Sequence, residues 1–138
     1  MGCDIHLYFE KRNELGIWEE IKFDEKLIPN DRDYWLFSFL ADVRNYRDPK
    51  ILPQFPNRGF PNDSSIPEND TKDFWIGDHS FTYAYLDEIL NLNWEEVELN
   101  TCYFYIFCKY IIPRLNKFCG FLSNEENKNI RVIMGFDN

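Results

Sequence analysis

Met1-Gly2-Cys3-Asp4-Ile5-His6-Leu7-Tyr8-Phe9-Glu10-Lys11 is the stretch on which the fold turns. Side chains in a strand alternate between faces with period 2. A strand over Cys3–Lys11 therefore puts Cys3, Ile5, Leu7 and Phe9 on one face and Asp4, His6, Tyr8 and Glu10 on the other. An apolar face backed by Asp and His two residues apart is a rigid mount for a polar site. The five-residue turn Arg12-Asn13-Glu14-Leu15-Gly16 leads into a second arm, Ile17–Lys22, and the two arms read as a β-hairpin. At the far end of the sequence, Asn129–Phe136 alternates again, Ile130, Val132, Met134 and Phe136 against Arg131, Ile133 and Gly135. If that strand pairs antiparallel with the first, Asp137 comes close to Asp4.

Between these strands the chain reads as helices and one long loop. Asp31 or Asp33 caps a helix running to about Arg44, with Trp35, Leu36, Phe39, Leu40 and Val43 as its buried stripe. From Tyr46 to about Asp73 the sequence is irregular and proline-rich, and a loop of that length in a small protein is usually functional or mobile. Phe74-Trp75-Ile76 returns it to the core, and Gly77-Asp78-His79-Ser80 reads as a turn. After it, the residues fit either a helix from Tyr83 to Leu92 capped by Thr82 or a strand over Ser80–Tyr85. Asn100-Thr101 caps a nearly all-apolar helix, Cys102 to Phe118, which Pro113 should kink and Cys119-Gly120 end. The expected fold is α+β: a small antiparallel β-sheet, made of the N-terminal hairpin plus the C-terminal strand, packed with about three helices and a long central loop.

Composition narrows the function. A length of 138 residues suits a single domain with a real core, and 18% aromatic residues imply a core built largely of rings. A net charge of −9 argues against a nucleic-acid duplex as partner, because phosphate backbones need clustered Lys and Arg. It leaves room for a small phosphate ligand held by two or three arginines. The four cysteines, at 3, 102, 108 and 119, form no CxxC pair and read as reduced thiols. Met-Gly-Cys is not followed by the Ser or Thr at position 6 that N-myristoylation wants, since His6 stands there. No apolar run approaches the ~20 residues that span a bilayer, so a soluble protein with no membrane partner is expected. An apolar helix of this kind on a small domain predicts a homo-oligomer, with that helix as the contact.

MGCDIHLYFEKR, DRDYWLFSFLADVRN, RGFPNDSS, GDHS and the ending IRVIMGFDN together resemble a family of small proteins carried by bacteriophages, along the chain from end to end. The resemblance implies a viral accessory protein made in the cytoplasm of the infected bacterial host. By analogy with other phage accessory proteins of this size, it implies an anti-defence role: one that binds or destroys a nucleotide immune signal.

Two constellations carry candidate chemistry. Both histidines adjoin aspartates, Asp4-Ile5-His6 and Asp78-His79, and with Asp137 they suit a divalent metal ion that activates water on a phosphoester. The alternative is that they are hydrogen-bonded polar pairs pinning strand to loop. The second constellation is Arg32, Arg44 and Arg58, positive charges in an acidic chain whose guanidinium forks grip phosphates. On one helix, Arg32 and Arg44 would stand about 18 Å apart, too far for one small phosphate. The segment Arg58-Gly59-Phe60-Pro61-Asn62-Asp63-Ser64 reads as a nucleotide lid or as a packed Asx-turn, and Tyr34 and Tyr83 as pocket rings or core. The first expectation is thus a ligand-binding protein, a sponge or inhibitor that takes up a small nucleotide, cyclic or linear, or a nucleotide-derived immune signal. Its site is Asp4, His6, Arg32, Tyr34, Arg44, Arg58, Asp63, Ser64, Asp78 and His79, with Asp4, His6, Asp78 and His79 as the metal set. The alternatives are a metal-dependent phosphoesterase acting on a nucleotide and a direct protein inhibitor of a host defence factor.

Overall fold

In the computed structural model, residues 2–29, 31–66, 76–96, 102–112 and 124–138 are described. Strand β1 (Asp4–Arg12) and strand β2 (Trp18–Glu20) form the expected hairpin. Helix α1 spans Tyr34–Ala41. Strand β3 (His79–Tyr85) runs into the short helix α2 (Leu86–Leu90). Helix α3 (Cys102–Ile106) widens into a π-turn over Phe107–Ile111. A one-turn helix, α4 (Asn124–Asn127), precedes strand β4 (Ile130–Asp137). The result is an α+β fold around a four-stranded antiparallel sheet of order β2-β1-β4-β3.

The sheet has one strand more than the hairpin and C-terminal strand supply. His79 and Ser80 begin β3 instead of closing a turn, and the helix that follows starts only at Leu86. Both alternatives for this stretch were partly right. α1 is shorter than its sequence suggests because Asp42, at φ 60°, takes the left-handed conformation that ends a helix, and its N–H returns to the carbonyls of Phe37 and Ser38. Its buried side is also broader, since Phe37 is fully buried as well as Leu36, Phe39 and Leu40. The Asn100-Thr101 cap, Phe74-Trp75, Pro113, Leu115, Phe118 and Cys119-Gly120 lie outside the described residues. Cys3 and Cys108 are free and buried. No helix among the described residues is long and apolar enough to cross a membrane.

Alternation gives the sheet two different faces. On the first, Ile5 and Phe9 of β1 with Cys3 just ahead of it, and Val132, Met134 and Phe136 of β4, pack against Phe37 and Leu40 of α1, Leu86 and Ile89 of α2, and Phe104 and Phe107. On the second, Tyr8 and Ile133 are covered by Ile66 and Ile76, with Phe60, Phe81 and Tyr83 around them. This cover is loop, and it is held by contacts to the β3 backbone. Gly59 N–H donates to the Phe81 carbonyl (2.9 Å), and an Arg58 guanidinium nitrogen donates to the Tyr83 carbonyl (3.1 Å). The outer edge of β3 is thereby paired instead of left open. Gly135 is required under this cover: a Cβ there would collide with the Ile76 carbonyl oxygen.

Candidate functional site

The pairing of β1 with β4 sets Asp4 directly opposite Asp137, as the sequence suggested it would if the termini met. His6 faces Gly135 on the same side, and its Nε2 lies 2.8 Å from Asp137 Oδ2. Arg32, just ahead of α1, donates through Nε to Asp4 Oδ1 (2.7 Å) and through Nη2 to Oδ2 (3.3 Å). That hydrogen bond is the main reason the Asp4 carboxyl sits below its usual range. Tyr34, the first residue of α1, accepts the Cys3 N–H on its hydroxyl at 3.0 Å.

Arg44 completes this group, and the chain bends sharply to bring it there. Both Asp42 (φ 60°) and Arg44 (φ 56°) are left-handed, a conformation that costs a side-chain-bearing residue about 1–2 kcal/mol. Asn45 locks the bend. Its amide donates to Asp42 Oδ1 (2.8 Å) and to the Ile51 carbonyl (2.7 Å), while its Oδ1 accepts the Ile51 N–H (3.1 Å). The Arg44 guanidinium is thus returned over the Tyr34 ring, 5.6 Å from its centroid, where its charge pulls the pKa of the Cys3 thiol downward. The separation of about 18 Å expected along a helix is therefore corrected: the helix ends at Ala41, and Arg32 and Arg44 serve one neighbourhood around Cys3, Asp4 and Tyr34. Arg44 has no carboxylate partner among the described residues. Burial raises the Cys3 thiol above its ordinary value, against the opposing pull of Arg44, so it is a thiol at neutral pH and a poor nucleophile.

The rest of the expected site is divided. His79 contacts Ser80 Oγ through Nδ1 (2.8 Å) and Asn138 Oδ1 through Nε2 (3.1 Å). Its ring lies tilted beside Phe136, on the opposite face of the sheet from His6. The Asp78 backbone N–H donates to the Phe136 carbonyl (2.9 Å). The expected convergence of Asp4, His6, Asp78 and His79 on a metal is not found: among the described residues no three His, Cys, Asp or Glu side chains are placed to hold an ion. The reason is β-sheet geometry, which sends the two histidines to different faces, and prior engagement, Asp4 by Arg32 and His6 by Asp137.

Arg58, Asp63 and Ser64 lie elsewhere too. Arg58 forks onto both oxygens of Glu88 (2.8 and 2.7 Å) and stacks over Phe55, 4.8 Å from its ring centre. Asp63, which is exposed, and Ser64, which is half-buried, belong to a cluster around a buried ion pair that sequence reasoning missed. Glu10 and Arg131, 0% and 1% exposed, face each other across β1 and β4 with Arg131 Nε 2.8 Å from Glu10 Oε1. Glu10 Oε2 accepts the Ser64 hydroxyl (3.1 Å) and the Ser65 N–H and hydroxyl (both 2.6 Å). Asp63 accepts from Arg131 Nη1 (2.8 Å) and Trp18 Nε1 (3.1 Å), and the Trp18 ring stacks on the Arg131 guanidinium at 3.9 Å. Six residues of β1 separate Asp4 from Glu10, about 20 Å. One small ligand cannot touch both clusters. The signal was present in the sequence: the register that sets Asp4 opposite Asp137 also sets Glu10 opposite Arg131, on the polar face.

An open hollow of about 420 Å³ lies apart from both, lined by Leu90, Leu92, Asn93, Trp94, Glu95 and Tyr105. Among the described residues its lining carries a carboxylate and no cation, which does not suit a phosphate. The chain matches no protein-family model, no curated protein and no solved structure.

Proposed function

We propose that the protein binds a small phosphate-bearing ligand of the nucleotide class at the end of the sheet where Arg44, Arg32 and Tyr34 meet, and that as a phage accessory protein it sequesters a nucleotide immune signal. One observation carries this reading. In a chain of net charge −9, Arg44 is held in a left-handed bend, over an aromatic ring and, among the described residues, without a carboxylate partner. Strain kept in place by a dedicated asparagine is a cost that a merely solvated arginine does not need. Arg32 supplies a second guanidinium whose present partner, Asp4, is half-exposed and exchangeable. Tyr34 and the His6–Asp137 pair frame the space. Binding alone lowers the free concentration of a signal, so no catalytic group is required.

The test is to incubate the protein with linear and cyclic nucleotides, with and without divalent cation, then denature it by heat and analyse the released material. Intact ligand recovered from the wild-type protein and lost from Arg44→Ala is the expected result. Metal-dependent product would replace this reading with a phosphoesterase. Neither binding nor turnover would leave inhibition of a host protein.

A further inference from the structure

The bend that aims Arg44 also presents a ring. Tyr46 is 83% exposed, yet its backbone is fixed: its N–H donates to the Arg44 carbonyl (3.1 Å), and Asn45 closes the loop onto Ile51 from both sides. The Cα atoms of Arg44 and Tyr46 are thus within about 7 Å of each other. Leu52, 77% exposed, stands immediately beyond the closure. Charge distinguishes this patch from the exposed apolar spot at the hairpin turn. Leu15 and Ile17, at the hairpin turn, have Glu14, Glu19 and Glu20 for neighbours, whereas Arg44, Arg47 and Lys50 surround Tyr46 with Asp48 as the one acid in that segment. An exposed ring on a fixed backbone, in a locally basic segment of an acidic protein, is complementary to a ligand that is both flat and anionic.

We infer that Tyr46 is the platform on which the base of the bound nucleotide stacks while Arg44 and Arg32 receive its phosphates. This rests on the phosphate-binding reading above and adds to it that the ligand carries a base. Because every base has a π face, the platform selects nucleotides over inorganic phosphates more than one base over another.

The experiment is isothermal titration of inorganic triphosphate, ATP, UTP and a cyclic dinucleotide into the wild-type protein, Tyr46→Ala, Tyr46→Phe and Arg44→Ala. The wild-type protein should bind at least one nucleotide more tightly than inorganic triphosphate. Tyr46→Ala should weaken that nucleotide by roughly 5- to 150-fold and leave triphosphate unchanged, with Tyr46→Phe close to wild type. Arg44→Ala should weaken both. Equal nucleotide affinity in the wild-type and Tyr46→Ala proteins overturns the platform and leaves the phosphate site standing. Failure of the wild-type protein to bind any of the four overturns the phosphate site and the platform together. Tyr46 is exposed, so an unchanged melting curve for Tyr46→Ala shows that folding does not enter the comparison.

Discussion

Two ion clusters sit on the same face of one pair of strands and differ in almost everything except residue type. At the end of β1 and β4, Asp4, Arg32, His6 and Asp137 are between about a fifth and about half exposed. Six residues further in, Glu10 and Arg131 are sealed under the 55–66 loop. Water decides what each can do. A charge that has lost its hydration depends on its protein partners, so removing one partner strands the other. A charge at the rim keeps its water, and its partner can be exchanged for a ligand at little cost. The inner cluster fixes where the loop lies; the outer one is the end at which the proposed ligand would be received.

The largest test of this contrast is to remove one inner charge. Arg131→Met and Glu10→Gln are each expected to lose about 3–5 kcal/mol in urea denaturation, a large part of the stability of a protein this size. The double replacement Glu10→Leu/Arg131→Met should recover much of that loss, because no unpaired ion remains buried. A single Arg131→Met that melted like wild type would erase the distinction between the clusters. Gly135→Ala probes the same cover from its backbone. The new methyl group has the Ile76 carbonyl in its way, and a loss of about 2–3 kcal/mol is expected.

A smaller effect separates the loop's other anchor, Arg58–Glu88, by pH. The Arg58 hydrogen bonds hold the Glu88 carboxyl below its ordinary value of 4.5. A group depressed in the folded state contributes its full stability above its unfolded value and loses it as pH falls through the folded one. Stability should therefore drop below about pH 4.5, and Glu88→Gln should flatten that part of the acid limb by about 1 kcal/mol or less, since the pair is one-third exposed. An acid limb identical in the variant would show that Arg58 does not hold the loop edge.

How much of this was legible in the sequence follows from what each signal depends on. Strict alternation in Cys3–Phe9 and Ile130–Phe136 exposed both central strands, and from them the meeting of Asp4 with Asp137. β3 was ambiguous because Phe81, Thr82, Tyr83 and Ala84 satisfy a helix as readily as a strand; only the open edge of β4 decides it. The arginines stand out in the sequence as local positives, but their distance is not readable from it. It depends on two left-handed residues, Asp42 and Arg44, that carry no glycine to announce them. Glu10 escaped notice because a charged residue near a strand end reads as solvent-facing, and what buries it is a loop from fifty residues away.

The smallest expected change in stability is also the sharpest test of the outer cluster. Asp4→Asn removes the carboxylate that Arg32 now holds, in a pair where both side chains are about half exposed. Its urea midpoint should stay where the wild type's is, because water replaces the lost partner. Affinity for inorganic triphosphate should move the other way. With Arg32 released beside an Arg44 that has no carboxylate partner among the described residues, two guanidiniums face the ligand, and binding should tighten roughly several-fold at low salt. The gain should shrink as ionic strength rises, because the site is open to screening. If Asp4→Asn instead destabilised the fold as Glu10→Gln does, the sheet end would be a second structural lock. If it left both stability and affinity unchanged, Arg32 would take no part in the site, and Arg44 with Tyr34 would have to hold the phosphates without it.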